Sequence, residues 1–216
     1  MQKNTSLFFC KFLCVLLFFL LISCSKPIPT DYDSSQIDPS EEPIQETNEN
    51  ENPLNLEIKG WTFTITPKAT YKITGEVLSI KKYYYGTPSL LSPCDIALVF
   101  GDLYSNSLYK EIRWSQSGRW YWWKYSASFP KQDDRYIARW SSNNHIIPAT
   151  LNVKRAVKSV KKGDLVVLEG KLVYVDGKKG DGTFWWRSSL NRSDTGDGSC
   201  EVLYLEKIRI GENIYK

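Results

Sequence analysis

Residues 150–175 read TLNVKRAVKSVKKGDLVVLEGKLVYV, and this stretch predicts one helix followed by one long strand. The helix is predicted near 150–162, because four apolar side chains recur at the i, i+3, i+4, i+7 spacing of one helix face: Val153, Ala156, Val157 and Val160. Gly163 ends the helix, and the β-branched run from Leu165 to Val175 follows as a strand that Gly170 can bend.

Strand signals dominate the chain on both sides of this stretch. Alternating, continuously apolar or aromatic runs occur at residues 61–66, 71–80, 95–100, 112–125, 184–190 and 202–210, with Pro67 ending the first. We therefore predict a mainly β domain, either a small OB-like β-barrel or a sandwich, with one packed helix. A barrel suits strands this hydrophobic because closure leaves no exposed sheet edge.

The N-terminus carries an export signal. Two lysines supply positive charge, and the apolar run at 12–22 is too short to span a bilayer comfortably. The motif Leu21-Ile-Ser-Cys24 resembles the bacterial lipoprotein signal, which implies removal of residues 1–23 and lipidation of Cys24. Such an anchor places the chain on a lipid bilayer of the bacterial cell envelope, and Ser25 implies the outer membrane. An uncleaved N-terminal membrane anchor is the alternative.

The rest of the chain divides into an acidic segment and a basic domain. Residues 27–55 contain eight Asp and Glu, five Pro and no Lys or Arg, a composition that cannot bury enough apolar surface to fold. We therefore predict a disordered tether at 24–55 and a single β-rich domain at 56–216. In that domain 25 Lys and Arg stand against 16 Asp and Glu, so the net charge of +4 for the whole chain conceals a domain of +9.

The cysteine and histidine content restricts the possible chemistry. With a single His and five Cys, a site with several imidazole ligands is excluded, and we predict no metal or other cofactor. Once the signal peptide is removed and Cys24 is lipidated, only Cys94 and Cys200 remain as thiols. An exported domain matures in an oxidising compartment, so we predict a disulfide between them. Two buried thiols, or a nucleophilic Cys200 with His145 as its base, are the alternatives.

His145 lies in a polar run at 140–149, which we predict to be a loop before the helix. A hydrogen-bonded structural histidine is the simpler interpretation. The catalytic interpretation makes His145 a general base. In that interpretation the carboxylate that orients His145 is Asp194 or Asp197. The nucleophile is Ser188, Ser189 or Cys200. No G-x-S-x-G motif supports a serine nucleophile.

The aromatic run from Trp120 to Tyr125 is the candidate binding surface. On a strand its side chains alternate between two faces, so one set can fill the core while the other stacks on sugar rings or bases. Packing of both sets in the core is the alternative. The predicted binding residues combine aromatic side chains with nearby cations: Arg119, Trp122, Trp123 and Arg187.

Several blocks of the domain are similar, in the same order, to those of an uncharacterised bacterial envelope family. The blocks are Ser92-Pro-Cys-Asp-Ile-Ala-Leu98, Ser115-Gln-Ser-Gly-Arg-Trp-Tyr121, Asn144-His-Ile-Ile-Pro-Ala149, Gly170-Lys-Leu-Val173, Trp186-Arg-Ser-Ser-Leu190, Arg192, Asp194-Thr-Gly196, Gly198 and Cys200-Glu201. The resemblance covers residues 75–206, and the final W-R-S-S-L-x-R-x-D-T-G-x-G-x-C-E block is its most distinctive part. It implies no activity, but it marks four places for a site: His145, Arg187, Asp194 and Cys200. Cys94 departs from the family's pattern, which argues against the disulfide.

The charge and the aromatic side chains together favour a binding function. We predict an envelope lipoprotein whose non-enzymatic domain binds a wall polymer, a glycan or a protein partner. The first alternative is a hydrolase that uses His145 with Cys200, Ser188 or Ser189. The second is OB-type nucleic-acid binding by a basic helix face, which the envelope location makes the weakest of the three.

Overall fold

The β-branched and aromatic runs of the chain fold into strands, and the domain is mainly β as predicted. The computed structural model describes residues 26–48, 51–191, 194, 196 and 198–216. The strands are β1 (Asp31–Tyr32), β2 (Ile44–Thr47), β3 (Leu54–Ile58), β4 (Trp61–Lys82), β5 (Cys94–Val99), β6 (Arg113–Ser117), β7 (Trp120–Lys124), β8 (Ser141–Pro148), β9 (Leu165–Lys179), β10 (Gly182–Arg187), β11 (Glu201–Ile210) and β12 (Asn213–Tyr215). The helices are α1 (Thr87–Leu91), α2 (Gly101–Ser105), α3 (Asp134–Arg139) and α4 (Leu151–Ser159), with a 3-10 turn at Leu108–Glu111.

Five strands form the centre of the domain and pair in a continuous series. β4 pairs with β5, β5 with β8, β8 with β11, β11 with β9, and β9 again with β4. Every pairing is antiparallel except that of β8 with β11, which is parallel. Alternate side chains of these strands fill one apolar core together with α4, which connects β8 to β9.

The predicted helix is confirmed as α4. The hydroxyl of Thr150 caps it by accepting a hydrogen bond from the backbone N–H of Val153 at 3.1 Å. The apolar stripe packs inward as the spacing requires. The helix ends at Ser159, earlier than predicted, because the backbone of Val160 is extended (ψ 141°).

The strands predicted at 61–66 and 71–80 are a single strand, β4. Pro67 does not end it, because a register shift between Pro67 and Ala69 in the pairing with β9 absorbs the proline. On the other edge, β3 pairs with β4 as far as Ile65 and β2 pairs from Ala69 onwards. Proline therefore lies in the gap between two partners, where no strand needs its missing N–H.

The acidic segment is not a free tether, which corrects the prediction of disorder at 24–55 for its described residues, 26–48 and 51–55. Its described residues add β1, β2 and β3 to the sheet, with β1 on β12 and the other two on β4. Carboxylates of the segment meet cations of the basic domain in three ion pairs: Asp33 with Arg209, Glu42 with Arg139, and Glu51 with Lys171. The partners of this segment lie far along the chain, so its own composition gives no sign of them.

Residues 112–125 form a hairpin, and Gly118, the glycine that interrupts this long aromatic run, lies in its turn. β6 and β7 join through the two-residue turn Gly118-Arg119, in which both residues have positive φ, 60° and 71°. This turn suits the twist of a hairpin, although an arginine there is uncommon. The hairpin packs over a second apolar cluster that includes Ala97 and Val99 of β5. It therefore carries Arg119 to the face of the sheet opposite α4.

The predicted signal peptide at 1–23 and the predicted lipidation site Cys24 lie outside the described residues. In the described part of the chain, no helix is long and apolar enough to cross a membrane. The backbone N–H and carbonyl of Ile28 bond to the side chain of Asn152 in α4, at 2.9 and 2.8 Å. The chain is therefore attached to the domain from Ile28 onwards.

Candidate active site

Three neighbouring strands bring Asp95, His145 and Cys200 to one face of the sheet. Asp95 of β5 lies directly opposite His145 of β8, and His145 lies beside Val202 of β11. Cys200 comes directly before β11, and its sulfur contacts the imidazole of His145. This face lies opposite α4, because the alternate residues of β5 and β8 pack in the core with that helix.

Asp95 is completely buried and is paired with Arg119. One guanidinium nitrogen of Arg119 donates to Oδ1 of Asp95 at 2.7 Å, and the other donates to the carbonyl of Ser92 at 2.8 Å. The guanidinium also lies over the ring of Tyr83, 3.8 Å from its centroid. Burial and then the charge of Asp95 raise the pKa of Tyr83 to about 12, so this phenol is neutral at physiological pH.

His145 is the only histidine of the chain, and 4% of its surface is exposed. Its Nδ1 lies 2.9 Å from Oδ1 of Asp95, an ion-pair distance at which the N–H is not aligned for a linear hydrogen bond. The ring packs against Trp186, with centroids 4.7 Å apart. Burial alone would lower the pKa of His145, but Asp95 and Cys200 outweigh burial and raise it to about 9. The imidazole is therefore positively charged at neutral pH.

Cys200 is a free, partly exposed thiol next to this imidazole. It lines two cavities. The larger cavity, about 640 Å³, also has His145, Arg119 and Arg187 in its wall. The smaller, about 340 Å³, has Asp194 in its wall. Of the four residues that the family resemblance marks, three therefore share one cavity and Asp194 lines the next.

The serine candidates and Asp194 are held in other interactions. The hydroxyl of Ser188 donates to the carbonyl of Ser189 at 2.8 Å and accepts from a backbone N–H of β11 at 3.0 Å. The hydroxyl of Ser189 donates to Asp194 at 2.6 Å. Asp194 therefore bonds a serine rather than the histidine, whose orienting carboxylate is Asp95. Asp197 lies outside the described residues.

The predicted disulfide between Cys94 and Cys200 is not formed, because both thiols are free. Cys94 lies on β5 in the core beside α4, whereas Cys200 is on the opposite face. Burial, and then the charge of Asp95, raise the pKa of the Cys94 thiol to about 12. A buried thiol of this kind is chemically inert, so the two cysteines have different properties.

The predicted binding residues have separate positions. Arg119 is ion-paired with Asp95 of β5. Arg187 is ion-paired with Asp176 at 2.6 Å, and the indole N–H of Trp123 donates to a carboxylate of α3 at 2.7 Å. Trp122 is 54% exposed. Trp122 in the wall of the smaller cavity and Arg187 in the wall of the larger one are available to a ligand.

Sequence reasoning missed Asp95 and Asn143. Asp95 is the one charge in the apolar run 94–100, and a charge inside a buried strand needs a partner, which was the available signal. Asn143 lies in the polar run that predicted a loop around His145. That run is strand β8, and residues 141–145 are all buried. Its polar side chains bond to neighbouring groups of the folded domain rather than to solvent.

No three His, Cys, Asp or Glu side chains among the described residues are grouped so that they could hold a metal ion. The chain matches no protein-family model, and comparisons with curated proteins and with solved structures also give no match. The functional interpretation therefore depends on the geometry of the site itself.

Proposed function

We propose that this protein is a thiol-dependent acyl-transfer enzyme, and a hydrolase when water is the acceptor, with Cys200 as the nucleophile. His145 is the proton donor and acceptor, and Asp95 is the positioning carboxylate. The observation that carries the proposal is the placement of these three side chains next to one another beside a cavity, with Asp95 and His145 on adjacent strands and Cys200 directly before the third. A partly exposed thiol, a buried imidazole and a fully buried carboxylate, in this order, meet the needs of nucleophilic catalysis by cysteine.

The charges around His145 support this assignment. Asp95 from β5 and Cys200 from the segment before β11 act directly on His145. Arg119 from the hairpin turn and Tyr83, the residue after β4, interact with Asp95. Arg119 balances the charge of Asp95 and fixes its orientation. A protonated imidazole next to a thiol stabilises the thiolate, which is the form that reacts.

The reaction follows from these roles. The thiolate of Cys200 attacks a carbonyl carbon, a C–S bond forms, and the carbonyl π pair moves to oxygen. When that pair returns, the bond to the leaving oxygen or nitrogen breaks, and His145 gives its proton to the leaving group. Water then attacks the thioester while His145 takes its proton, the C–S bond breaks, and the carboxylic acid leaves with the thiolate regenerated.

We also propose that the chain is anchored to the bacterial cell envelope, in the outer membrane, through lipid on Cys24. The signal motif supports this location. The docking of the acidic segment changes the expected geometry, because Ile28 is already bonded to Asn152. A stretch of four residues from Cys24 to Ile28 spans at most about 14 Å. The domain would therefore lie close to the lipid surface rather than on an extended leash.

An OB-like β-barrel is the fold that we propose for the five central strands. The support is that each strand has two partners, that β8 and β11 are parallel, and that α4 connects β8 to β9. Asp95 and His145 then lie on the second and third strands of the five. That is the surface through which OB-type domains bind oligonucleotides and oligosaccharides.

Alkylation of Cys200 tests the catalytic proposal. In the Cys94→Ala protein, iodoacetamide at about pH 6 is expected to alkylate Cys200 at least about tenfold faster than it alkylates glutathione, because the positive imidazole of His145 lies next to the attacking sulfur. Peptide mass mapping follows the reaction at Cys200.

Two variants complete this experiment. His145→Gln is expected to slow the alkylation to the rate of glutathione, because glutamine supplies no positive charge. Asp176→Asn, which removes a carboxylate that is half exposed and outside the site, is the matched control and retains the fast rate. A wild-type rate equal to that of glutathione, or a rate unchanged in His145→Gln, would contradict the proposal.

A non-enzymatic binding function, for a wall polymer, a glycan or a protein partner, is the second candidate. Trp185 is 71% exposed and lines the larger cavity together with Arg187. Exposed indole faces next to a cation are typical of surfaces that bind sugar rings or aromatic groups.

Retention on purified peptidoglycan tests this second candidate. Trp185→Ala is expected to weaken retention by at least about tenfold, the usual cost of truncating a tryptophan at the centre of a binding surface. Tyr85→Ala is the matched control, because Tyr85 is 91% exposed and does not line the cavity. Equal retention of the wild type and Trp185→Ala would count against binding through this cavity.

A further inference from the structure

The side-chain amide of Asn143 is held beside the sulfur of Cys200. Asn143 precedes His145 by two residues on β8, so it lies on the same face, and 1% of its surface is exposed. Its Nδ2 donates to Sγ of Cys200 at 3.6 Å and to the carbonyl oxygen of Arg119 at 3.1 Å. One amide nitrogen therefore faces both the sulfur and the hairpin turn.

A chain of hydrogen bonds determines which way this amide points. The carbonyl oxygen of Arg119 can only accept, so the nitrogen of Asn143 must face it and the oxygen must face away. Oδ1 of Asn143 accepts from Nε2 of Gln116 at 2.7 Å, and Oε1 of Gln116 accepts from the hydroxyl of Ser79 at 2.6 Å. Contacts from β4 and β6 thus orient the amide on β8 without any bound substrate.

The second N–H of this amide has a weak partner. The first N–H is used by the carbonyl of Arg119, and the second is directed at Sγ of Cys200 over 3.6 Å. At 3.6 Å this contact is long, so the oxygen of a carbonyl bonded to the sulfur could approach Nδ2 more closely and accept a stronger hydrogen bond.

We propose that Asn143 donates the hydrogen bond that stabilises the oxyanion of acyl transfer at Cys200, with Gln116 as its positioning residue. This inference deepens the proposed function and rests on it. When Sγ bonds to a carbonyl carbon, the oxygen of that carbonyl becomes negative and lies close to the sulfur. Nδ2 of Asn143 is a preoriented donor at that place, and its burial strengthens the interaction. The donor assigns the thiol to acyl chemistry rather than to redox exchange.

Two probes of the same thiol separate this role from a general effect on Cys200. Iodoacetamide alkylates the sulfur by displacing iodide from a saturated carbon, so no oxyanion forms. p-Nitrophenyl acetate acylates the sulfur through a tetrahedral oxyanion and releases p-nitrophenolate. In Asn143→Ala we expect acylation of Cys200 to slow by about 100-fold, the usual cost of one oxyanion donor, while alkylation stays within about twofold of the wild type.

Variants of the β6 strand test the positioning role. Gln116→Ala is expected to slow acylation by about tenfold, because the amide is then free to turn, and to leave alkylation unchanged. Ser115→Ala is the matched control, since Ser115 is exposed and its side chain points to the opposite face of the hairpin. It is expected to retain both rates. Asn143→Leu, similar in size and uncharged but without an N–H, serves where the alanine variant does not fold.

The outcomes distinguish the inference from the proposed function. Equal acylation rates in the wild type and Asn143→Ala would overturn the assignment of Asn143, and so would a parallel loss of acylation and alkylation. Fast alkylation of the wild type without any acylation of Cys200 would also overturn it. In each of these cases the proposed reactivity of Cys200 is tested separately, by the alkylation rates of the wild type and of His145→Gln.

Discussion

Replacement of Arg119 by Met is expected to lower the free energy of unfolding by about 3 kcal/mol. The carboxylate of Asp95 is completely buried, and it would lose the guanidinium that donates to it at 2.7 Å. Breaking a buried ion pair from one side usually costs about 3–5 kcal/mol, and we expect the lower end because His145 remains as a second cation. Urea unfolding near neutral pH measures the loss.

Arg187→Met is the matched control for this prediction. It removes the same group from an ion pair with Asp176, but the two side chains there are 38% and 58% exposed. We expect a loss of less than about 1 kcal/mol, because solvent screens an exposed pair. Similar losses of unfolding free energy in the two variants would mean that burial does not make the Arg119–Asp95 pair more important for stability, and would contradict the prediction.

Features with a local signal could be predicted from the sequence. The helix α4 was predicted because its apolar spacing and the glycine after it lie within one short stretch. The mainly β class was predicted because each strand carries its own alternating or β-branched pattern. These patterns depend on the nearest neighbours in the chain, and the folded structure keeps them.

Features that depend on distant partners were predicted poorly. The acidic segment has few apolar residues, yet its strands pair with β4 and β12 and its carboxylates meet Arg209, Arg139 and Lys171. Pro67 is a local signal for a strand end, but the gap between β2 and β3 accommodates it. In both cases a tertiary contact outweighs the preference of the local sequence.

The candidate site could be predicted only in part. His145 and Cys200 could be named by residue type, and their pairing was one of the alternatives. Asp95 could not be assigned to them, because only the register of β5, β8 and β11 brings residues 95, 145 and 200 together. Asn143 was hidden for a related reason, since a polar run in a buried strand resembles a loop until its hydrogen-bond partners are known.

The pKa of His145 tests most directly whether Cys200, His145 and Asp95 form one interacting group of charges. The chain has a single histidine, so the imidazole proton signals in an NMR spectrum of the tag-free protein belong to it alone. Burial lowers its pKa, but the carboxylate of Asp95 and the sulfur of Cys200 raise it further, to about 9 from an ordinary value of 6.5. The ring is therefore expected to be positive below about pH 9 and neutral above it.

Variants assign this shift to its causes. Asp95→Asn is expected to lower the pKa of His145 well below 9, because burial is then opposed only by the sulfur of Cys200. Cys200→Ser is expected to lower the pKa less, and Asp176→Asn to leave it near 9. A midpoint near 9 that falls in the Asp95 and Cys200 variants is the result that we predict. A wild-type midpoint at or below 6.5, or one that neither variant changes, would contradict a charged unit of these three residues.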